Sequence, residues 1–199
     1  MKPSHLLKVI LASASPRRLQ ILKEHGLAAV VMPANIEEIQ QKDEAAKNYV
    51  TRLAREKAQA VFSQIQEGTA DIIIAADTTV SYQNHILEKP RDYADAYRML
   101  SMLSGKSHEV HTGYALIFLQ SQQWWIDCVT THITFHSLTE QQIKSYIESG
   151  DPFDKAGGYG IQNVHETFIK EIQGSFYNVM GLPIDEILEK ISLIGSIGC

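Results

Sequence analysis

Two hydroxyl groups and two guanidinium groups stand close together near the start of the chain, within the sequence LASASPRR (residues 11–18). A helix is expected to begin at Pro16, which lacks the N–H that a first helical turn leaves unpaired. Helix N-termini bind anions because free N–H groups and the helix dipole point at the ligand. Ser13, Arg17 and Arg18 therefore form a candidate phosphate site. The alternative is a capped helix whose arginines are solvated.

A carboxylate follows an apolar segment in the middle of the chain. Residues 71–76 predict a central strand that ends abruptly at Asp77, which Thr78 follows. Ligands of open α/β sheets bind at the carboxyl ends of strands. Asp77 is therefore a candidate general base or metal ligand. The alternative is an aspartate that only forms a turn or caps a helix.

Three further charged residues have both a functional and a structural interpretation. Lys57 lies on the apolar stripe of a long predicted helix, where its stem can also run along the core to solvent. Lys89 precedes a proline and so has extended backbone, although a solvated loop lysine is the alternative. Glu38 belongs to a pair of adjacent carboxylates in a loop, which surface solvation alone can explain.

A glycine-rich segment, DKAGGYGIQ, occupies residues 154–162. Three glycines in four positions allow the backbone to adopt positive φ or to approach a ligand closely. The spacing is neither that of the dinucleotide-binding motif nor that of the phosphate loop. The segment predicts a ligand-facing loop that ends at Gln162, with a flexible loop tip as the alternative.

Hydrophobic periodicity predicts the elements that position these groups. Strands are expected at residues 6–12, 27–32, 71–76, 110–119, 124–135 and near 167–172. Helices are expected from residue 16 to a stop at Gly26, and over residues 43–64, 91–103, 139–149 and 183–191, with a loop at 151–162. The mixture predicts an α/β fold with a mixed sheet, and 199 residues favour one domain over 1–199.

Composition excludes several classes of protein. Hydrophobic residues make up 44% of the chain, which excludes wholesale disorder. The net charge of −5 disfavours binding to nucleic acid, and the apolar runs are too short to span a membrane. Cys128 and Cys199 are too few for a disulfide framework or a cysteine-only zinc site. We therefore expect a soluble, cytoplasmic protein with free thiols.

Seven segments, in this order, resemble the Maf (septum-formation inhibitor) family of nucleoside triphosphate pyrophosphatases. They are LASASPRR (11–18), RLAREKA (52–58), ADTTV (76–80), LEKPRD (87–92), LSGKSHEVHTG (103–113), DKAGGYGIQ (154–162) and NVMGLP (178–183). Each segment alone is weakly specific, but seven in family order span nearly the whole chain.

The resemblance implies an α/β fold that is elongated, with helices flanking a mixed sheet and a substrate cleft. It implies hydrolysis of a nucleoside triphosphate to the monophosphate and pyrophosphate, a divalent metal cation (Mg²⁺ or Mn²⁺) and a homodimer. By the same resemblance, Asp77 is the proton acceptor. The phosphate and metal positions are Ser13, Arg18, Glu38, Lys57 and Lys89. The positions typical of the dTTP- and UTP-hydrolysing subgroup are Arg17, Thr78 and Gln162.

The residue types suit this chemistry, but they leave some choices open. Cations neutralise a triphosphate, and Glu38 with Asp77 provides the one or two carboxylates that Mg²⁺ prefers. Whether Asp77 takes a proton or holds the metal stays open. Modified pyrimidine nucleotides are also candidate substrates. The alternative function is a nucleotide-binding regulator of septum formation, which does not require a base such as Asp77.

Overall fold

We describe the fold from a computed structural model that covers residues 7–66 and 68–195, so Cys199 lies outside the described residues. The strands are β1 (Val9–Leu11), β2 (Ala29–Val31), β3 (Ile72–Tyr82), β4 (His85–Leu87), β5 (Ser107–Phe118), β6 (Gln123–Phe135) and β7 (Ile169–Gln173). The helices are α1 (Pro16–Glu24), α2 (Ala46–Phe62), α3 (Tyr93–Leu103), α4 (Glu140–Glu148), α5 (Ile161–Phe168), α6 (Phe176–Met180) and α7 (Ile184–Gly195).

The strands form one mixed sheet in the order β2-β1-β3-β5-β6-β7, with β4 paired to β3. β1 is parallel to both of its neighbours, whereas the other pairs are antiparallel. The expected β5–β6 hairpin is present, and Thr139 and Gln142 form the expected capping box at the start of α4. The prediction of an α/β fold with a mixed sheet is confirmed.

One edge of β3 has a gap in its pairing. β1 pairs with β3 only as far as Ile74, and β4 pairs with it only from Val80 onward. In the part of the chain that the structure describes, no strand pairs with residues 75–79 on this edge. The prediction that the strand ends at Asp77 is wrong, because antiparallel pairing with β5 carries β3 on to Tyr82. Asp77 nevertheless faces the gap that begins where β1 ends.

Helices cover both faces of the sheet. α2 packs on one face, where its small residues Ala54 and Ala58 lie in a core cluster with Ile73 and Ala75. This packing is close: a Cβ added at Gly113 would lie 2.3 Å from the Val50 carbonyl oxygen. The larger core cluster occupies the other face, against α1 and the helices after β3. No helix in the described ranges is long and apolar enough to cross a membrane.

The segment predicted as a loop at 151–162 has more structure than expected. It contains two 3-10 turns, Asp151–Asp154 and Ala156–Gly158, and α5 already begins at Ile161. Gln162 therefore lies in the first turn of a helix and not at a loop tip. This helix was not predicted because glycines precede it directly. β4 and the five-residue helix α6 are too short to show a clear periodicity.

His108 on β5 is buried inside the larger core cluster. Its Nε2 lies 2.8 Å from the Tyr159 hydroxyl, and its ring packs edge-to-face on Phe135. Burial lowers the pKa of His108 to about 3. The folded protein therefore keeps this ring neutral at pH values where an unfolded histidine is protonated.

We predict that His108 makes folding stability fall in acid. Its pKa is lower in the folded state than in the unfolded state, so the unfolded chain binds more protons below about pH 6.5. Between pH 7 and pH 5 this costs about 2 kcal/mol. Urea unfolding at both pH values measures this decrease in unfolding free energy. The decrease should be smaller than in the wild type for His108→Gln, whose side chain can still bond Tyr159. It should equal that of the wild type for the exposed control His85→Gln. Equal losses in the wild type and His108→Gln would contradict the prediction.

Candidate active site

A cleft of about 380 Å³ lies at the gap in the sheet. The carboxyl end of β1, the first turn of α1, the middle of β3 and the glycine-rich segment contribute to its walls. It brings together all nine residues that the sequence analysis selected. They are Ser13, Arg17, Arg18, Glu38, Lys57, Asp77, Thr78, Lys89 and Gln162.

The Arg18 guanidinium is buried at the gap and is mostly occupied by protein acceptors. Its Nε donates to the Gly181 carbonyl at 2.8 Å, and its Nη1 donates to the Ala76 carbonyl at 2.8 Å and to Ser13 Oγ at 3.0 Å. Its Nη2 donates to Thr78 Oγ1 at 3.1 Å. Four of the five N–H groups of a guanidinium are thereby used, which leaves one for a ligand. Burial lowers the pKa of Arg18, and the charge of Asp77 opposes this shift.

The N-terminus of α1 departs from the expected capping. Ser15 is at the N-cap position, but its side chain makes no capping hydrogen bond. Ser13 Oγ instead accepts from the Ser15 N–H at 3.2 Å and from Arg18. The Ser13 hydroxyl therefore fixes the turn that leads from β1 into the helix.

Lys57 is the second buried cation, and it is bound between two carboxylates. Its Nζ lies 2.6 Å from Asp77 Oδ1 and 2.6 Å from Glu38 Oε1. Only 7% of Lys57 is exposed, so the alternative in which its ammonium reaches open solvent is wrong. Asp77 Oδ2 accepts no hydrogen bond from any residue that the structure describes. One oxygen of Asp77 is thus fixed by Lys57 while the other is available to a ligand.

Glu38 lies in the segment between β2 and α2, and its carboxylate is half-exposed. Partial burial opposes its ionisation, but the hydrogen bond and charge of Lys57 outweigh burial, so the pKa of Glu38 is below its usual value. The charges of Lys89 and Arg18 act in the same direction. Glu38 is therefore ionised at neutral pH and contributes a negative charge to the cleft.

Arg17 lies at the rim and makes an ion pair across it. Its Nη1 lies 3.0 Å from Asp154 Oδ2, and Lys155 Nζ lies 2.6 Å from the other Asp154 oxygen. Lys155 also contacts Asp151, which accepts from the Tyr146 hydroxyl. This chain of contacts links the first turn of α1 to the segment that leads into α5.

Thr78 and Gln162 differ in how much hydrogen-bonding capacity they have left. Thr112 Oγ1 donates to the Asn178 carbonyl at 2.8 Å, so its single proton is used and Thr78 must supply the proton of the 3.0 Å Thr78–Thr112 contact. Thr78 also accepts from Arg18. By contrast, Gln162 and Lys89 are exposed, and their side chains have no hydrogen-bond partner within residues 7–66 and 68–195. Their polar groups are free to bind a ligand.

The residues suit a divalent cation that is bound jointly by the protein and a ligand better than one that is bound by protein side chains alone. Within the described residues, no group of three or more His, Cys, Asp or Glu side chains is arranged to hold a metal ion. Glu38 and Asp77 nevertheless both line the cleft and lie close together, because an oxygen of each contacts Lys57 Nζ. Two carboxylates beside a ligand's phosphate oxygens are the ligand set that Mg²⁺ prefers.

Four residues outside the nine predicted ones also shape the site. Asp154, Lys155 and Gly181 line the cleft and belong to the quoted segments DKAGGYGIQ and NVMGLP, but no role was predicted for them. Gly181 binds Arg18 through its carbonyl oxygen. Tyr49 is a core residue of α2 that does not line the cleft, and its hydroxyl bonds the Glu38 carbonyl. A paired carboxylate and ammonium beside glycines was a usable signal for Asp154 and Lys155, but no local pattern predicted the contacts of Gly181 and Tyr49.

Comparisons with known proteins find similar sequences over most of the chain. A sequence profile described as Maf-like protein matches residues 8–193. A protein of Chlorobium phaeovibrioides named dTTP/UTP pyrophosphatase is 44% identical over 90% of this chain and 93% of its own length. Proteins of the same name are 44% identical in Escherichia coli O6:K15:H31 (94% of this chain, 93% of theirs) and 43% identical in Agathobacter rectalis (94% and 98%).

We predict that Arg18→Lys destabilises the protein despite keeping the charge. A lysine has one nitrogen, which cannot reach acceptors on both sides of the gap, and buried carbonyls then lose their donors. The free energy of unfolding should fall by about 3 kcal/mol in urea denaturation. Arg91→Lys, at an arginine with a mostly exposed side chain, is the control and should be nearly neutral. A loss for Arg18→Lys no larger than that of the control would contradict the structural role.

Proposed function

The chain belongs to the Maf-like protein family, and from this membership and the geometry of the cleft we propose that it hydrolyses dTTP and UTP to the monophosphate and pyrophosphate. It is a hydrolase that acts on an acid anhydride. The observation that carries the proposal is the pair of 2.6 Å contacts that hold Lys57 between Asp77 and Glu38, beside a buried arginine. Cations and a partly free carboxylate in one cleft are what attack by water on a triphosphate requires.

The cations bind the phosphate half of the substrate. A triphosphate carries about four negative charges, which repel an attacking nucleophile. Lys57, Lys89 and the free N–H of Arg18 neutralise that charge and stabilise the charge that develops on the pyrophosphate leaving group. Because Lys57 and Arg18 are buried, their charges are less screened than those of surface lysines. Ser13 holds the Arg18 guanidinium and so fixes its direction.

Asp77 is the proton acceptor for the attacking water. Its Oδ1 is held by Lys57, so Oδ2 is the oxygen that takes the proton. Attack at the α-phosphorus then breaks the bond to the β-phosphate, and pyrophosphate leaves.

Glu38 and Asp77 are the residues that hold a divalent cation, Mg²⁺ or Mn²⁺, together with the substrate. Bound there, the ion supplies Lewis-acid neutralisation of phosphate oxygens. This assignment is supported by the presence of both carboxylates in one cleft, where each contacts Lys57 Nζ at 2.6 Å, so an ion that they hold would lie beside the ammonium and not in its place. The residues of the chain do the remaining work: they orient the phosphates and accept the proton.

The base half of the substrate is read by Gln162, Arg17 and Thr78, which line the same cleft. An amide both donates and accepts, which suits the N3–H and O4 edge of uracil or thymine. In support, the Gln162 amide is exposed and unengaged in the described part of the chain, at the start of α5. Thr78 contributes through Arg18, since its hydroxyl is already bonded to protein groups.

We further propose that the enzyme acts in the cytoplasm as a homodimer, on small-molecule triphosphates and not on nucleic acid or membranes. The homodimer follows from the family resemblance. The location is supported by Cys128, which is a free thiol. The net charge of −5 disfavours nucleic acid as a partner.

Asp77→Asn should abolish most turnover while keeping the fold. The amide has the same volume but cannot accept a proton, and loss of a general base typically costs about 10² to 10⁴ in rate. The measurements are kcat for UTP and the melting temperature. Asp71→Asn, just before β3 and exposed, is the matched control and should keep full activity. If Asp77→Asn retains more than about a tenth of the wild-type kcat, Asp77 is not the base.

A pyrophosphate-release assay tests the activity itself. With Mg²⁺ we expect dTTP and UTP to give a much higher kcat/KM than GTP, because a purine does not match the polar edge that Gln162 reads. CTP and modified pyrimidine triphosphates belong in the same series. Excess EDTA should stop turnover without unfolding the protein. Equal kcat/KM for UTP and GTP would overturn the pyrimidine preference. If no triphosphate releases pyrophosphate, the proposed pyrophosphatase activity is wrong.

A further inference from the structure

Tyr49 on α2 is a buried tyrosine whose hydroxyl lies behind the cleft and does not line it. The hydroxyl lies 3.1 Å from the Glu38 carbonyl oxygen and 3.1 Å from Glu88 Oε1. A phenol has one proton, so a hydrogen bond shared between two acceptors explains two equal and slightly long distances. One side chain therefore joins two segments that are far apart in sequence.

Both segments carry cleft residues that the proposed function uses. The Glu38 segment provides a carboxylate to the proposed metal position, and the segment after β4 carries Lys89 directly beside Glu88. The Glu88 carbonyl also accepts from the Gly157 N–H at 3.1 Å, which ties the glycine-rich segment to the same point. Three segments around the cleft thus meet at Tyr49 and Glu88.

The neighbouring turn of α2 supports the same arrangement. Arg52 Nη2 donates to the Ile39 carbonyl at 2.9 Å, one residue beyond the carbonyl that Tyr49 bonds. The Arg52 guanidinium is held in turn by Glu44 at 2.7 Å.

We propose that Tyr49, through its shared hydrogen bond to Glu38 and Glu88, is a positioning residue that holds the Glu38 and Lys89 segments at the spacing that the triphosphate requires. This inference rests on the proposed function. Tyr49 touches neither substrate nor reacting atoms. Without its hydroxyl the two segments lose their common anchor, and their charged side chains are no longer held at a fixed separation.

The variant Tyr49→Phe tests the proposal, because it removes one oxygen and keeps the ring in the core. We expect the affinity for inorganic tripolyphosphate with Mg²⁺, measured by isothermal titration calorimetry, to fall about tenfold, as loss of a hydrogen bond that involves a charged group predicts. We expect kcat/KM for UTP to fall about 10²-fold, because small misplacements of catalytic groups are costly. The base-free probe reports on the phosphate half alone.

Tyr82→Phe is the matched control. Tyr82 is partly buried on the same strand as Asp77, and its hydroxyl has no hydrogen-bond partner among the residues that the structure describes. It should leave both measurements unchanged. A purely structural role of Tyr49 would lower the melting temperature and leave tripolyphosphate affinity and kcat/KM at 25 °C as in the control, and that result would overturn the proposal.

Glu88→Ala provides a second route that leaves the buried tyrosine intact. Glu88 is exposed, so this variant tests the Tyr49–Glu88 hydrogen bond even if Tyr49→Phe fails to fold. Glu88→Ala should weaken tripolyphosphate binding. The double variant should bind tripolyphosphate no more weakly than Tyr49→Phe alone, because both substitutions remove the same Tyr49–Glu88 hydrogen bond. Unchanged tripolyphosphate affinity in Glu88→Ala would contradict the proposal. So would a double variant whose loss of affinity equals the sum of the two single losses. If the wild type binds tripolyphosphate but releases no pyrophosphate from UTP, the proposed function fails while the binding test of Tyr49 still stands.

Discussion

The hydrogen bonds of one buried guanidinium connect the parts of this molecule that form its cleft. Arg18 donates across the gap in the sheet to the Ala76 carbonyl, which has no strand partner on that edge, and to Gly181 near the start of α7. A buried carbonyl without a donor costs about 1–3 kcal/mol, so the gap is tolerable only because a side chain fills the role of a strand. Gly181 has φ +107, and a Cβ there would lie 3.3 Å from Thr78 Oγ1, so glycine is the residue that suits this position.

The gap in the sheet makes the site possible. A continuous parallel neighbour would cover the β3 edge at Asp77 and leave no room for a ligand. Because β1 stops at Leu11 and β4 starts its pairing at Val80, the chain keeps β3 rigid through β5 while leaving one edge open. A rigid strand that carries Asp77 beside an open edge combines fixed geometry with access, which a catalytic carboxylate needs.

Lys57 offsets part of the negative charge that two carboxylates place in the cleft. A buried ammonium is costly unless it is paired, and here Asp77 and Glu38 both contact it at 2.6 Å. The close packing of α2 against Gly113, the residue opposite Asp77 on β5, brings the helix near enough for this contact. A triphosphate that enters the cleft meets a cation already held in place, and its binding need not pay to order a flexible lysine.

The sequence by itself determined the order of most helices and strands, because periodicity, capping and turn chemistry act over a few neighbouring residues. It located the capped start of α4, the β5–β6 hairpin and the long helix α2, and its motifs selected nine residues that line one cleft. Only the tertiary structure decided that Asp77 lies inside a strand and that Arg18 is mostly occupied by protein groups. It also decided that Lys57 is shared by two carboxylates and that Tyr49 joins two segments. The reason is distance along the chain: Arg18 and Gly181 are 163 residues apart and Tyr49 and Glu88 are 39 apart, so no local pattern encodes their contacts.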